Sequence, residues 1–251
     1  MAPHWLEVTT LSQRPDRVPL AGQLEDPAVA PFLYQDPVSA ALFLDLVGRH
    51  PEYTLLAVER KTGRPAAMVC TLPFTETGGP PPGGYDAVLL SAAADTLAGR
   101  KGASVSALFA TVRTDLRGRG VSALMVDAAR RNAAGLGHTE LLAPVRPTHK
   151  HEHVGMSMAE YVAWRRPDGT AADPWIRVHE RAGGRFVAVA PHSMTITAGL
   201  AGWREWTGLP FDTAGPVVVP GGAVPVLCDP DRDVATYVEP NAWFAHDLRG
   251  L

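Results

Sequence analysis

Leu116-Arg117-Gly118-Arg119-Gly120-Val121-Ser122 is the stretch on which the reading of the whole chain turns. Before it, Val105, Ala107 and Phe109 alternate with Ser104, Ser106 and Leu108, the period of a strand. After it, Val121, Leu124, Met125 and Ala128 recur at helical spacing. The glycines therefore fall at a strand-to-helix turn. The first amides of a helix lack intrahelical partners and stand at the positive end of its dipole, so an anion placed there accepts their hydrogen bonds. Gly118 and Gly120 carry no side chain to hold a phosphate away, and Arg117 and Arg119 add positive charge. Such a turn suits a pyrophosphate, but any strand-to-helix corner can carry glycine and a basic residue, so the surroundings must decide.

Upstream, residues 5–11 alternate weakly and read as a first strand, after which Pro15, Pro19 and Pro27 break the pattern. Leu42, Phe43, Leu46 and Val47 form a helical stripe with Ser39 near its start and Gly48 as its stop. Residues 53–58 and 66–72 read as strands joined by Lys61-Thr62-Gly63-Arg64, which makes a hairpin. Residues 77–85 are a glycine and proline loop, followed by a short helix over 87–97. Downstream, Gly135 and Gly137 stop the helix that follows the turn, and residues 141–145 make another strand. Pro144 within it predicts an edge or splayed position. Residues 148–172 are polar and irregular, while Asp173-Pro174 reads as a helix start and Gly183-Gly184 as its stop. Residues 186–196 and 217–227 are strand-like, separated by Trp203-Arg204-Glu205-Trp206 and a turn at 208–212. No internal repeat and no linker divides the chain. The expectation is one domain over 1–251, with an inserted loop at about 75–101, a His/Arg/Trp-rich insertion at about 147–172 and a C-terminal extension.

The 251 residues suffice to bury a sizeable core, and a hydrophobic fraction of 46% with 20% charge describes an ordinary globular chain. A net charge of -3 argues against a general nucleic-acid binder, so the arginines act locally. Cys70 and Cys228 are too few for a disulfide framework or a cysteine zinc site, which fits a reducing cytoplasm. No apolar run approaches the length of a bilayer span, and the first twenty residues carry proline and charge where a signal peptide needs an apolar core. The expected location is cytoplasmic, with no membrane and no nucleic-acid partner.

Gly118-x-Gly120-x-x-Ala123 fits the letters of a dinucleotide fingerprint, which would make the chain a nicotinamide or flavin oxidoreductase. That fingerprint also needs an acid at the end of the next strand. Here Glu140 stands at the strand's start and Arg146-Pro147 at its end. The upstream hairpin implies a largely antiparallel sheet, in which such a crossover scheme is out of place. A P-loop is weaker still, because no Gly-Lys-Ser/Thr follows.

The order strand, helices, hairpin, strand, Arg-Gly turn, helix, strand, helix, strand resembles the GNAT superfamily of N-acyltransferases, whose signature is Q/R-x-x-G-x-G/A. Arg117-x-x-Gly120-x-Ser122 matches with Ser122 as the one departure. The resemblance implies an α/β fold with a mixed, largely antiparallel sheet flanked by helices and a splayed strand pair holding a pantetheine arm. It implies that amides of Arg117, Gly118, Arg119, Gly120, Val121 and Ser122 hold the pyrophosphate of coenzyme A, and that Ala110 and Val112 pair with the pantetheine. An amide near Val112 would polarise the thioester carbonyl.

Residues 176–184 look like the late helix of that family, with His179 where a proton-donating tyrosine commonly stands. Imidazole titrates near neutral pH and can serve as the acid. Trp175, His179 and Ala182 share one helix face, so the ring points inward, where a satisfied core histidine is an equally good reading. Family members often carry a glutamate base on the strand before the turn, yet residues 104–113 contain no acid. His149 and Glu152, just past the next strand, are the substitutes for catalysis. The run His149-Lys150-His151-Glu152-His153 has zinc-like alternation but no second ligand pair nearby, so no metal is expected. Arg146, Trp164 and Arg165 are candidates for binding the acceptor substrate, against a default of solvated charge.

A longer pattern runs through Val145-Arg146-Pro147-Thr148-x-Lys150, Tyr161-x-x-Trp164-Arg165, Trp203-x-x-Trp206-Thr207-Gly208 and Tyr237-Val238-Glu239-Pro240-Asn241-x-Trp243. It resembles long bacterial GNAT proteins often encoded among secondary-metabolite genes, such as those of antibiotic biosynthesis. Some of these take the acyl group from the phosphopantetheine of an acyl carrier protein instead of acyl-CoA. The resulting expectation is an N-acyltransferase moving an acyl group from acyl-CoA or acyl-phosphopantetheine to a small-molecule amine or biosynthetic intermediate. A non-catalytic acyl-thioester binding protein is the other reading, since the strand glutamate is missing.

Overall fold

The structure, a computed structural model, describes residues 4–24, 29–76 and 78–251. Pro27, read as part of a strand break, and Thr77, read as the start of a loop, lie outside the described residues. In chain order the elements are β1 (Leu6–Thr10), α1 (Val18–Ala21), α2 (Pro37–Arg49), β2 (Thr54–Glu59), β3 (Pro65–Phe74) and α3 (Gly84–Leu97). There follow β4 (Ser104–Val112), α4 (Val121–Gly135), β5 (Glu140–Val145), α5 (Met158–Ala163), α6 (Pro174–Arg181) and β6 (Gly184–Ala198). The chain closes with α7 (Leu200–Thr207), β7 (Gly215–Val217), β8 (Val226–Asp229) and β9 (Val234–Asp247).

The strands form one sheet in the order β1-β2-β3-β4-β5-β9-β8-β7, with β6 on the second edge of β9. Among the described residues every pairing is antiparallel except β4 with β5. The exception follows from connectivity, because α4 carries the chain back across the sheet so that β5 starts beside the start of β4. The expected mixed, largely antiparallel sheet is therefore present, and the one crossover unit is the one containing the Arg-Gly turn.

Helices cover both faces, each through its apolar stripe. Val121, Met125, Ala129 and Ala133 of α4 pack on Leu55, Ala67, Val69, Val105 and Leu141. On the other face, Leu46 of α2 and Val88, Leu89 and Ala92 of α3 pack on Leu72, Phe74, Leu142 and Trp243. Met158 and Val162 of α5 and Ile176 of α6 cover Ala143, Val145 and Phe244 beside α4. Residues 148–172, read as irregular, thus contain α5, whose start carries a capping box between Ser157 and Glu160 that short-range polarity obscured. A C-terminal core gathers Phe32, Trp203, Phe211, Val226 and Tyr237. The single strand read over 217–227 is instead the hairpin β7–β8, broken at Pro220-Gly221-Gly222. Among the described residues no helix is long and apolar enough to cross a membrane.

Candidate active site

The sheet is open at its centre. β4 and β5 share a single bridging pair, Ser106 with Leu142, and part beyond it. The cause lies in the β3–β4 register, where Cys70 faces Phe109 but Thr71 faces Ala107, leaving Leu108 as an extra, bulged residue. A bulge bends its strand and increases its twist, which here swings the rest of β4 away from β5. Pro144, two residues past Leu142, meets the same opening and has no N–H to lose there. Arg113 N–H donates to the Ala66 carbonyl at 2.9 Å, which fixes the phase of the ladder. By alternation Phe109 and Thr111 turn their amides to β3, while Ala110 and Val112 turn theirs into the split. The Val112 carbonyl accordingly accepts from Arg117 Nε at 3.3 Å.

The turn that ends β4 is held from below and open above. Arg113 is ion-paired with Glu59 and, at 2.6 Å, with Asp115, pinning the chain where it leaves the sheet. Gly118 and Gly120 adopt φ of 73° and 79°, the left-handed region that favours glycine, and a Cβ built on either meets nothing within 4 Å. Gly120 is the N-cap of α4 and supplies no side-chain cap, so the leading amides of this 15-residue helix face open space. Arg117, Gly118, Arg119 and Gly120 are exposed and Ser122 stands in the first turn, whereas the Val121 side chain is buried in the core and only its amide faces the turn. This cradle fits a phosphate.

Past the end of β5 the chain enters a polar network. Arg146, expected to bind substrate, is instead locked: its Nε donates to both oxygens of Glu239 at 3.0 and 2.9 Å, and its Nη2 to the Gly221 carbonyl at 2.6 Å. Glu239 is 1% exposed and also accepts from Tyr237 and Asn241. The reason is topological. β5 leaves the edge of β9 after Ala242 and β8 joins it only at Thr236, so the guanidinium fills the interval. Its sequence signal is the alternate spacing of Tyr237, Glu239 and Asn241, which lie within the longer pattern quoted above and which that resemblance did not assign to a network.

His149 and Glu152 form a pair at 2.8 Å with side chains 48% and 54% exposed, and the His149 amide donates to Asp173. The neighbouring imidazole holds the Glu152 carboxyl below its ordinary range. Lys150, between them in sequence, is fully buried and donates to the His153 and Ala223 carbonyls, which removes it from any metal set. Among the described residues no group of metal-ligating side chains gathers. Trp164 is exposed and packs edge-on against His153, and Arg165 is tied to Glu180 at 3.0 Å. Trp164 is thus engaged within the insertion and Arg165 with α6.

His179 points inward, as its helix face required. It is 4% exposed, its Nδ1 meets His246 Nε2 of β9 at 2.9 Å, and Trp175 lies edge-on at 4.5 Å. His246 faces Leu141, one residue from the Ser106–Leu142 bridge, so the pair sits beneath the apex of the split. Burial, then the neighbouring ring, drives His179 down to about 3, and burial drives His246 down to about 4. The expected proton donor therefore meets a ring that its surroundings keep neutral.

A sheet split at its parallel β4–β5 junction, beside a helix start without a side-chain cap at a glycine turn, is the arrangement of the GNAT fold. Within that class the chain is similar to the arginine N-acetyltransferase avaD of Aspergillus versicolor, 37% identical over 188 residues covering 67% of this chain and 65% of that one. It spans slightly less than two thirds of that relative's length. No family model matches. Among solved structures, the loading GNATL domain of CurA from Lyngbya majuscula superposes with a TM-score of 0.61 at 12% identity, over 99% of this chain and 100% of that one. The GphF GNAT-like decarboxylase in complex with isobutyryl-CoA gives 0.54 at 14%, over 98% and 100%. These two likenesses concern the fold.

Proposed function

We propose that the protein is an N-acyltransferase that moves an acyl group from acyl-CoA to the amine of a small molecule. The observation that carries this is the split between β4 and β5, with the amides of Ala110 and Val112 turned into it along one wall and the open start of α4 at its end. An extended pantetheine arm takes the place of the missing strand partner, and its pyrophosphate lies on the turn at residues 117–122. A carrier-bound acyl group would present the same arm with a single phosphate. The likeness to an arginine N-acetyltransferase supports acetyl as the acyl group and a guanidino or related amine as acceptor.

Transfer needs a neutral amine, a polarised carbonyl and a proton for the departing sulfur. His149, oriented by Glu152, takes the proton of the incoming ammonium. The amine nitrogen then attacks the thioester carbon while an amide N–H of the split wall donates a hydrogen bond to the oxygen as negative charge develops on it. As the C–S bond breaks, the remaining ammonium proton of the intermediate passes to the thiolate, leaving amide and free thiol. His179, neutral, contributes a hydrogen bond beneath the apex rather than a proton.

The test is calorimetric. Gly120→Asp tolerates the left-handed backbone and sets a carboxylate where the phosphate belongs. Acetyl-CoA is expected to bind the native protein and to lose at least about tenfold in affinity in this variant, with the Asn variant intermediate. Equal affinity in all three proteins overturns the placement of the pyrophosphate.

A further inference from the structure

On the face of the sheet opposite α4, two carboxyl groups are set against each other without a cation. Asp36, just ahead of α2, has Oδ2 fixed by the Ser39 amide at 2.7 Å. Asp86, in the first turn of α3, has Oδ2 fixed by the Thr195 amide of β6 at 3.2 Å. The Oδ1 atoms of both are buried and accept no hydrogen bond from a donor among the described residues, and the two groups lie within hydrogen-bond reach of each other. Asp36 is fully buried, whereas the Asp86 residue keeps partial exposure.

The contrast with the other buried aspartates is instructive. Asp95 is paired with Arg100, and Asp173 accepts from a helix start and from Tyr161. Asp36 and Asp86 hold no Lys or Arg among the described residues. The further titratable groups around them are Tyr85, His192 and Glu239. Tyr85 is bonded to Ser39, the exposed His192 lies against Gly83, and Glu239 adds repulsion while keeping Arg146 for itself. Burial and the neighbouring carboxylates push Asp86 up to about 7, so the resting pair shares a proton. Two desolvated carboxyls, each fixed through one oxygen by a backbone amide and set within reach of the other, attract a planar or tetrahedral cation. Its position suits an acceptor. Phe43 of α2 packs against Phe109 of β4, so this helix layer roofs the split strand on the face away from the phosphate turn.

We propose that Asp36 and Asp86 bind the cationic group of the acceptor, a guanidinium or ammonium remote from the amine that is acylated. This deepens the acyltransferase reading and rests on it. A cation entering the pair displaces the shared proton, so binding releases a proton near neutral pH.

The test uses the full chain with three probes: arginine, agmatine and citrulline, the last replacing guanidinium by a neutral ureido group. Titration calorimetry in buffers of different ionisation enthalpy is run without acetyl-CoA. Arginine or agmatine is expected to bind at least about tenfold more tightly than citrulline, with proton release at pH 7. Asp86→Asn and Asp36→Asn, which keep shape and the helix cap, are expected to abolish that preference while acetyl-CoA affinity, measured separately, is unchanged. Equal binding of citrulline, no binding of either cation up to about 10 mM, or a preference that survives both variants overturns the proposal. Selective cation binding in a protein that ignores acetyl-CoA would leave the site standing and remove the acyltransferase reading instead.

Discussion

His179 shows what a single position can and cannot declare in advance. Its inward orientation was legible from the shared face of Trp175, His179 and Ala182, and its place in a late helix from Asp173-Pro174 at one end and Gly183-Gly184 at the other. Its partner was not, because His246 lies on a strand 67 residues away and only the sheet register brings the rings together. The pair makes a pH prediction. Both folded-state values lie below the ordinary value of 6.5, so the unfolded chain takes up protons first on acidification. The stability is present above about pH 6.5 and is lost as the pH falls towards 4. For His179 alone the loss by pH 4 is on the order of 3 kcal/mol. His179→Gln should therefore narrow the gap between urea midpoints at pH 7.5 and pH 4.5. An unchanged gap would mean that the ring is not held neutral. At Arg146 the sequence suggests contact with the acceptor substrate, whereas the guanidinium is paired with Glu239, because charge in a sequence does not reveal a partner 93 positions later.

Elements with strong local punctuation were the most legible. The β2–β3 hairpin, α2, the turn into α4 and the start of α6 each carry their own glycine, proline or capping residue. β9, the 14-residue strand that β5, β6 and β8 all pair with, was not read as a strand, for a physical reason. Its polar Glu239 and Asn241 satisfy each other, and Pro240 falls where β6 bulges between Ala190 and Met194, so no ladder partner is lost. Asp173 is the element-scale residue to test. It is 1% exposed, caps α6 through the Trp175 and Ile176 amides, and also accepts from the His149 amide and Tyr161 hydroxyl. Asp173→Ala leaves those donors unmatched and should lower stability by about 3 kcal/mol, with Asp173→Asn costing less. Thermal unfolding measures it, and a shift of under about 2 °C would show that the cap and the insertion hold without this carboxylate.

At the scale of the molecule, the mixed sheet and the splay near Pro144 were legible because a proline after a crossover helix has few places to go. The bulge at Leu108 that opens the split was not, because a bulge is a property of register and not of one strand's letters. The opening predicts an exchange pattern. In hydrogen–deuterium exchange, peptides covering β4 should show the amides of Ala110 and Val112 exchanging faster than those of Phe109 and Thr111. Acetyl-CoA should slow the first pair at least about tenfold and the second far less. Equal protection throughout β4 without the donor would mean that the strands close in solution. The same opening bears on how a lineage carrying it can diverge. Its groups are amides and carbonyls, which nearly every residue supplies alike, so side chains along β4 can be exchanged over generations without erasing the edge. Likeness in letters can then fade while the shape persists; this chain and the Lyngbya domain share the fold at 12% identity.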